Sequence, residues 1–309
     1  MRSNYLVQLL AASFLIVSAS LASAAPAHMW SKHVGGSNPD GGFAVATDGS
    51  NNVVFTGIFG GCLDFGGGLQ CGPTGLDMFL VKYAADGTYL WSKVFPAHPQ
   101  AAGIDTMGNI YVVGAAGADV DFGGGLLPRN GVGIFLVKFD ANGNHQWSKR
   151  FSNLGSSIVV ESMDVQSSGD LVIAGNFNGS FDFGGGVLST GHMFVVKYDG
   201  NGNHLWSIQH GEAGFITPYD IALDASGSVA VTGNYLYTAN FGGSDFTTSS
   251  PDWEDIFLVK YDANGTHQWS KSFGGADRDA ANSVGVDATG NVYFTGYYFG
   301  AVDFGGGNL

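Results

Sequence analysis

Four aspartates, Asp64, Asp121, Asp182 and Asp303, each open the pentapeptide Asp-Phe-Gly-Gly-Gly, and a worn copy, Asn240-Phe241-Gly242-Gly243, stands between the last two. A carboxylate followed by three glycines offers an oxygen ligand and freely turned carbonyls, the donors that a hard cation such as calcium takes. The same residues also suit an Asp that accepts N–H bonds inside its own turn, with glycine supplying positive φ. An Asp-x-Asp-x-Asp-Gly series is absent, so turn chemistry is the expectation and calcium the alternative, with no other cofactor implied.

Cys62 and Cys71 are the two cysteines, close in sequence, and read as a structural disulfide clipping one loop. A repeated lysine (Lys82, Lys138, Lys197, Lys260) is expected to pair with repeated carboxylates such as Asp48, Asp105, Asp224 and Asp287. His145, His204 and His267 share one repeated position with Tyr89, which suggests a cross-strand surface pair. Gly-x-Ser-x-Gly is absent, and no glycine-rich stretch leads into a helix. No catalytic residue is assigned.

Repeated positions hold a fold, and departures from them are free for function. The most divergent stretches are Gln209 to Asp220, with His210 and Glu212, and Ser244 to Asp255, with Asp252, Trp253, Glu254 and Asp255. An aromatic among loop carboxylates suits a sugar or a basic peptide. These residues form the expected ligand face.

The elements that must position them repeat at roughly sixty residues. Trp30, Trp91, Trp147, Trp206 and Trp269 are each followed by Ser, and Phe-(Leu/Val)-Val-Lys-(Tyr/Phe) recurs at Phe79, Phe135, Phe194 and Phe257. Each unit holds four short apolar runs rich in Val, Tyr, Phe and Thr, bounded by Asp/Asn-Gly, which are strands in hairpins. Four antiparallel strands per unit, repeated radially, make an all-β fold, a β-propeller of about five blades with the last incomplete. The small residues of the first runs suit a crowded central axis, and the Trp of run four suits the outer rim. The chain opens on a run-four segment, His28 to His33, and its last unit carries runs one and two. That pattern fits either a five-bladed ring with a thin last blade, which would be a monomer, or part of a longer ring.

Val284 to Gly296 and Asp255 to Gly265 resemble the bacterial beta-propeller repeat (SBBP) family, over the chain from Trp30 onward. The strand order resembles NHL-type propellers. Asp-x-x-Gly-x-x-x-Trp at Asp140, Asp199 and Asp262 is similar to the tryptophan-docking motif of quinoprotein propellers. The resemblance implies an exported or surface-associated propeller and no general reaction.

Composition agrees. The chain has 309 residues with 50 Gly, a charged fraction of 12% and Asp far in excess of Glu, a turn-rich balance poor in helix formers. A net charge of −14 opposes nucleic-acid binding. Residues 1–24, with Arg2, an apolar segment and Ala22-Ser23-Ala24, read as a cleaved secretory signal, leaving 25–309 as the repeat domain without a membrane span. The expected protein is exported (periplasmic, cell-surface or extracellular) and binds or scaffolds a protein or carbohydrate through its long loops without catalysis. The alternatives are a propeller enzyme, such as a lyase, lactonase or quinoprotein-like dehydrogenase, and a calcium-stabilised module.

Overall fold

The computed structural model describes residues 28–309 apart from 154–156, 190 and 212–213. The chain divides into Met1–Ser31 and Lys32–Leu309, and the second unit carries the fold. The expected signal segment, 1–24, and Glu212 lie outside the described residues. Among the described residues there is no helix, and hence none long and apolar enough to cross a membrane.

The strands group as the repeat predicts. The first sheet joins β1 (Asp40–Thr47), β2 (Val53–Phe59), β5 (Asp77–Tyr83) and β6 (Tyr89–Phe95) in that order, with a ribbon of β3 (Cys62–Asp64) and β4 (Leu69–Cys71) in the loop between β2 and β5. The second joins β7 (His98–Ile104), β8 (Ile110–Ala115), β11 (Val132–Phe139) and β12 (His145–Asn153), with β9 (Val120–Asp121) and β10 (Leu126–Leu127) as its ribbon. The third joins β13 (Ser157–Val165), β14 (Leu171–Asn178), β17 (Met193–Tyr198) and β18 (His204–His210), with β15 (Ser180–Asp182) and β16 (Val187–Ser189). The fourth joins β19 (Phe215–Leu223), β20 (Val229–Leu236), β23 (Asp255–Tyr261) and β24 (His267–Phe273), with β21 (Thr238–Ala239) and β22 (Phe246–Thr247). A last sheet has two strands, β25 (Ala280–Val286) and β26 (Val292–Tyr297). Every pairing is antiparallel. Tight turns such as Asp48–Asn52 and Asp140–Asn144 lie at one end of the strands, and the long ribbon-bearing loops at the other.

One expectation needs correction. Residues 28–33 form no strand. In all four complete sheets the fourth strand is held by its own third strand, whereas in this segment Lys32 lies 5.0 Å over the Tyr83 ring.

First strands pack side by side in series, β1 on β7, β7 on β13, β13 on β19 and β19 on β25. Carboxylates stitch this row. Asp164 accepts from Leu223 N at 2.7 Å, while Asp220 accepts from Ser162 Oγ at 2.7 Å and Val284 N at 2.8 Å. Burial raises the Asp164 pKa, and nearby Asp220 raises it further. No packing of comparable extent returns from β25 to β1 among the described residues. Accordingly, Val45 on β1 and Tyr293 on β26 are 63% and 61% exposed.

The core lies between neighbouring sheets. Leu136 and Tyr111 of the second sheet meet Phe177, Phe194 and Tyr198 of the third, and Val172 and Val195 of the third meet Ile216 and Phe257 of the fourth. Third strands are therefore covered on both faces: all seven residues of β5 and of β23 are buried. This is why Asp-Met-Phe-Leu-Val-Lys-Tyr reads as a continuous apolar run without alternation.

The repeated lysines are structural groups, Lys82, Lys197 and Lys260 buried and Lys138 half-buried. Lys82 pairs with Asp48 at 2.9 Å and Lys260 with Asp224 at 3.1 Å, as expected. The expected pairing fails for Lys138, which lies 4.9 Å over the Tyr111 ring, because Tyr111, in the place of Val54, puts its ring under the lysine and its hydroxyl on Asp105. Lys197 also lacks it, because Gln166 stands where the first and fourth sheets have Asp. Asp287 likewise forms no ion pair with a lysine among the described residues. Burial lowers the pKa of both Lys138 and Lys197.

What all four lysines share is a carbonyl in a turn of the next sheet. Lys82 donates to Ala141 O at 3.1 Å, Lys138 to Gly200 O at 2.8 Å, Lys197 to Gly227 O at 2.8 Å and Ala263 O at 3.4 Å, and Lys260 to Gly290 O at 3.0 Å. Three tryptophans use the same acceptors. Trp91 Nε1 donates to Ala141 O at 3.3 Å, Trp147 to Gly200 O at 3.3 Å and Trp206 to Ala263 O at 2.9 Å. The Asp-x-x-Gly turn is thus the dock for the preceding sheet, and a Cβ on Gly143, Gly202 or Gly265 would press into Trp91, Trp147 or Trp206.

Because Lys82 and Asp48 are both buried, Lys82→Ala strands a carboxylate and is predicted to cost roughly 3 kcal/mol or more in urea unfolding. Lys271→Ala, on an exposed fourth-strand position, should stay within about 0.5 kcal/mol. Equal effects of the two would contradict the pairing.

Candidate functional site

Each Asp-Phe-Gly-Gly-Gly loop closes on one oxygen of its own aspartate. Asp64 Oδ1 accepts from Gly66 N at 2.7 Å and Gly68 N at 2.9 Å, and Asp121, Asp182 and Asp303 repeat the pattern. The phenylalanines Phe65, Phe122, Phe183 and Phe241 are buried. The first and third glycines adopt positive φ, for example 114° at Gly66 and 103° at Gly68. The middle glycine has a different task. A Cβ at Gly124, Gly185 or Gly67 would overlap the ring of His145, His204 or Tyr89. The repeated His/Tyr is therefore a lid on its own glycine loop, where a cross-strand surface pair was expected. Cys62 and Cys71 face each other across β3 and β4 and form the expected disulfide.

The fourth long loop departs from this scheme. Asn240 replaces the aspartate, accepting from Gly242 N at 2.7 Å and donating to Asp245 Oδ1 at 2.6 Å. Four residues after the fourth-strand tryptophan, where the other sheets have Phe95, Phe151 and Phe273, the third has His210. Its ring stacks on Tyr261, with Nε2 and the Tyr261 hydroxyl 2.7 Å apart. Tyr83 and Tyr198 instead donate to the carbonyls of Phe65 and Phe183. A cavity of about 330 Å³ opens beside His210, lined also by Gln209, Thr238, Asn240 and Asp245. Burial lowers the His210 pKa to about 4, so the ring is neutral near pH 7 and shares its Nε2 hydrogen bond with the Tyr261 hydroxyl.

A second group gathers at the long-loop ends of the fourth and fifth sheets. Glu254 Oε2 takes Arg278 Nη2 at 3.1 Å and Nε at 3.2 Å. Asn234 Nδ2 approaches the same oxygen at 3.4 Å and also donates to Asp279 O at 3.2 Å. Trp253 precedes Glu254 and is 46% exposed. The Tyr219 phenol is raised first by burial, then by Glu254 and Glu161, with Arg278 opposing. Burial likewise raises the Glu161 carboxyl. This cluster can donate from a protonated phenol and a guanidinium, accept on two carboxyls, and offer an aromatic face.

Of the residues expected at the ligand face, Glu254 belongs to this cluster, and Asp252 and Trp253, both exposed, come just before it in the chain. His210 lies at the separate cavity. Asp255 is buried, its Oδ2 accepting from Ser249 N at 2.9 Å, as Asp77 does from Thr74 N at 3.0 Å in the first sheet. It is a frame residue and is removed from the ligand face.

Glu161 and Tyr219 were missed from sequence. Each is the extra residue of a β-bulge in a first strand, between Val160 and Ser162 and between Pro218 and Asp220. Phe43, Gln100 and Asn282 hold the same place in β1, β7 and β25. Five unlike residues at one equivalent position was the available signal. An alignment of the repeats would have shown this column varying inside an otherwise small and apolar strand.

No protein-family model matches the chain. It is 22% identical over 368 residues to an uncharacterized WD repeat-containing protein, L264, of Acanthamoeba polyphaga mimivirus, covering 87% of this chain and 26% of that protein. It is 28% identical over 104 residues to the regulatory protein FlaEY of Caulobacter vibrioides, covering 33% and 11%. The chain thus spans about a quarter or less of the length of the curated relatives it matches. Among solved structures it is similar to a protein of unknown function from Bacteroides caccae, with TM-score 0.36 and 12% identity over 75% of this chain and 82% of that one. It is also similar to an ulvan lyase described as a new family of polysaccharide lyase, with TM-score 0.44 and 10% identity over 84% and 64%. The chain is a propeller-like β-repeat protein.

The His210 pKa falls from 6.5 to about 4 on folding. Between these values the unfolded chain binds the extra proton, so stability is lost as pH falls from 6.5 to about 4. The depressed pKa corresponds to roughly 3 kcal/mol across that window. His210→Phe, the residue of the other sheets, is expected to flatten this part of the stability–pH curve. An unchanged curve would contradict the buried neutral imidazole.

Proposed function

We propose that the chain is an exported, non-catalytic β-propeller of the bacterial repeat type, which binds a neutral carbohydrate through the long-loop ends of its fourth and fifth sheets. The observation that carries this reading is the cluster in which Glu254 pairs with Arg278 and acts with Glu161 on the Tyr219 phenol, with exposed Trp253 next to Glu254 in the chain. An aromatic face stacks on a sugar ring, while paired donors and acceptors satisfy hydroxyl groups. The net charge of −14 favours a neutral ligand over an acidic polysaccharide. Repeated positions offer little competition, because their Asp, Lys, Trp and His side chains are committed to turns and neighbouring sheets. The Cys62–Cys71 disulfide is consistent with an oxidising compartment.

A catalytic reading is favoured by one feature, the raised Glu161 carboxyl near Tyr219, a pairing suited to proton transfer. The two readings separate in one experiment. Neutral cello-, malto- and xylo-oligosaccharides titrated into the protein are expected to change Trp fluorescence saturably for one class. Trp253→Ala should weaken that binding about tenfold, and the sugar should be recovered uncleaved. A folded protein that binds none of these probes overturns the carbohydrate reading, and recovery of a cleaved product overturns the non-catalytic one.

A further inference from the structure

Three side chains at the long-loop ends of the third and fourth sheets break the repeat together. Phe215 opens β19 four residues before the bulge, where the other sheets have Pro39, Pro96, Ser157 and Arg278. Tyr237 follows β20 where the first, third and fifth sheets have Gly61, Gly179 and Gly300 and the second has Ala118. His192 precedes β17 where the first and fourth sheets have the frame carboxylates Asp77 and Asp255 and the second has Gly133. These three departures meet in space. The Phe215 ring centre lies 5.3 Å from that of His192 and 6.3 Å from that of Tyr237. Among the described residues, no other sheet carries an aromatic ring at any of the three positions.

Packing does not account for these rings. Tyr237 has a φ of 71°, beside 76°, 95° and 71° at Gly61, Gly179 and Gly300. This left-handed backbone suits glycine and is unfavourable for a bulky side chain. Burial does not offset the strain, since Phe215 and Tyr237 are 59% and 47% exposed. A strained position that presents an aromatic ring to solvent points to a ligand. The backbone beneath is well fixed. His192 N donates to His210 O and His192 O accepts from Phe177 N, both at 2.9 Å, and Tyr237 O accepts from Thr248 N at 2.9 Å. Asn176 Nδ2 joins the two segments, donating to Ile216 O at 2.7 Å and approaching His192 O at 3.3 Å. The rings incline to one another by 38° and 52°. Together they make a solvent-facing aromatic platform on a rigid support.

We infer that His192, Phe215 and Tyr237 form a second sugar-stacking station, and that the ligand is an extended neutral oligosaccharide. This inference rests on the carbohydrate reading of the cluster around Tyr219, Glu254 and Arg278. Strand β19 connects the two stations. Phe215 is its first residue and Tyr219 is its bulge, four residues on, which is roughly 13 Å along an extended strand. That span exceeds one sugar ring, so a ligand that touches both stations is a chain. The platform offers ring faces without a carboxylate or ammonium among its three side chains, which suits the apolar C–H face of a neutral sugar. Two stations held on one strand act as linked sites. A chain bound at the first reaches the second at high effective concentration, so affinity rises with length.

The test titrates two-unit and six-unit cello-, malto- and xylo-oligosaccharides into the full chain by calorimetry. For the class that binds, the six-unit chain is expected to bind about tenfold more tightly than the two-unit one. Phe215→Ala combined with Tyr237→Gly should abolish that advantage and leave two-unit binding unchanged, while Phe215→Tyr, which keeps a ring, should retain it. The double variant should melt within about 3 °C of the parent, because it removes exposed rings and gives a left-handed position its usual glycine. A much larger fall in Tm would mark the rings as packing groups and overturn the inference. Equal affinity for the two lengths, or a double variant that keeps the six-unit advantage, overturns the second station and leaves the carbohydrate reading in place. A folded parent that binds no probe overturns both.

Discussion

One carbonyl per sheet organises this protein. Ala141 O and Gly200 O each accept the indole N–H and the ammonium of the preceding sheet, and Ala263 O does the same for the third. A lysine taken out of water is costly unless something of opposite polarity faces it. Here the opposing group is a backbone dipole fixed by a tight turn, supplemented by a carboxylate at Lys82 and Lys260 and by a ring face at Lys138. The carboxylate varies from sheet to sheet, and the carbonyl contact is kept. Its fixed position requires the Asp-capped turn, and the turn requires a glycine against which the tryptophan lies flat.

Much of this was legible in the sequence, because a repeat exposes its own rules. The four-run unit, the antiparallel hairpins, the disulfide and the turn role of Asp-Phe-Gly-Gly-Gly follow from residue types at fixed offsets. What could not be read depends on which neighbour a side chain meets. His145 and Tyr89 look like a surface pair because they interchange at one repeated position, yet each covers the glycine loop of its own unit. Asp255 looked like one of several loop carboxylates, yet the first-sheet counterpart Asp77 shows that it belongs to the frame. The bulges hid Glu161 and Tyr219, since a single inserted residue breaks the alternation from which facing is inferred.

The ligand face was located in part for a simple physical reason. Invariant positions are consumed by packing, so chemistry survives where the repeat lapses. Trp253 and Glu254 sit in such a lapse, and so does His210, where an imidazole stands in a place otherwise reserved for phenylalanine. The two lapses differ in character. Around Glu254 the polar groups stay near solvent and engage one another, whereas His210 is packed between Tyr261 and Phe241 and exchanges an apolar contact for a polar one.

The shared carbonyls also give the molecule a direction. Among the described residues, the Lys contacts of Lys82, Lys138, Lys197 and Lys260 and the Trp contacts of Trp91, Trp147 and Trp206 all run from one sheet to the sheet that follows it in sequence. A unit emerging from synthesis therefore lacks its last two bonds until its successor is made, and stability accrues with a lag of one unit. The same polarity makes duplication self-compatible. A copied unit inserted anywhere in the series presents a turn to the unit before it and donors to the unit after it, so length can grow in whole steps without redesign of any interface.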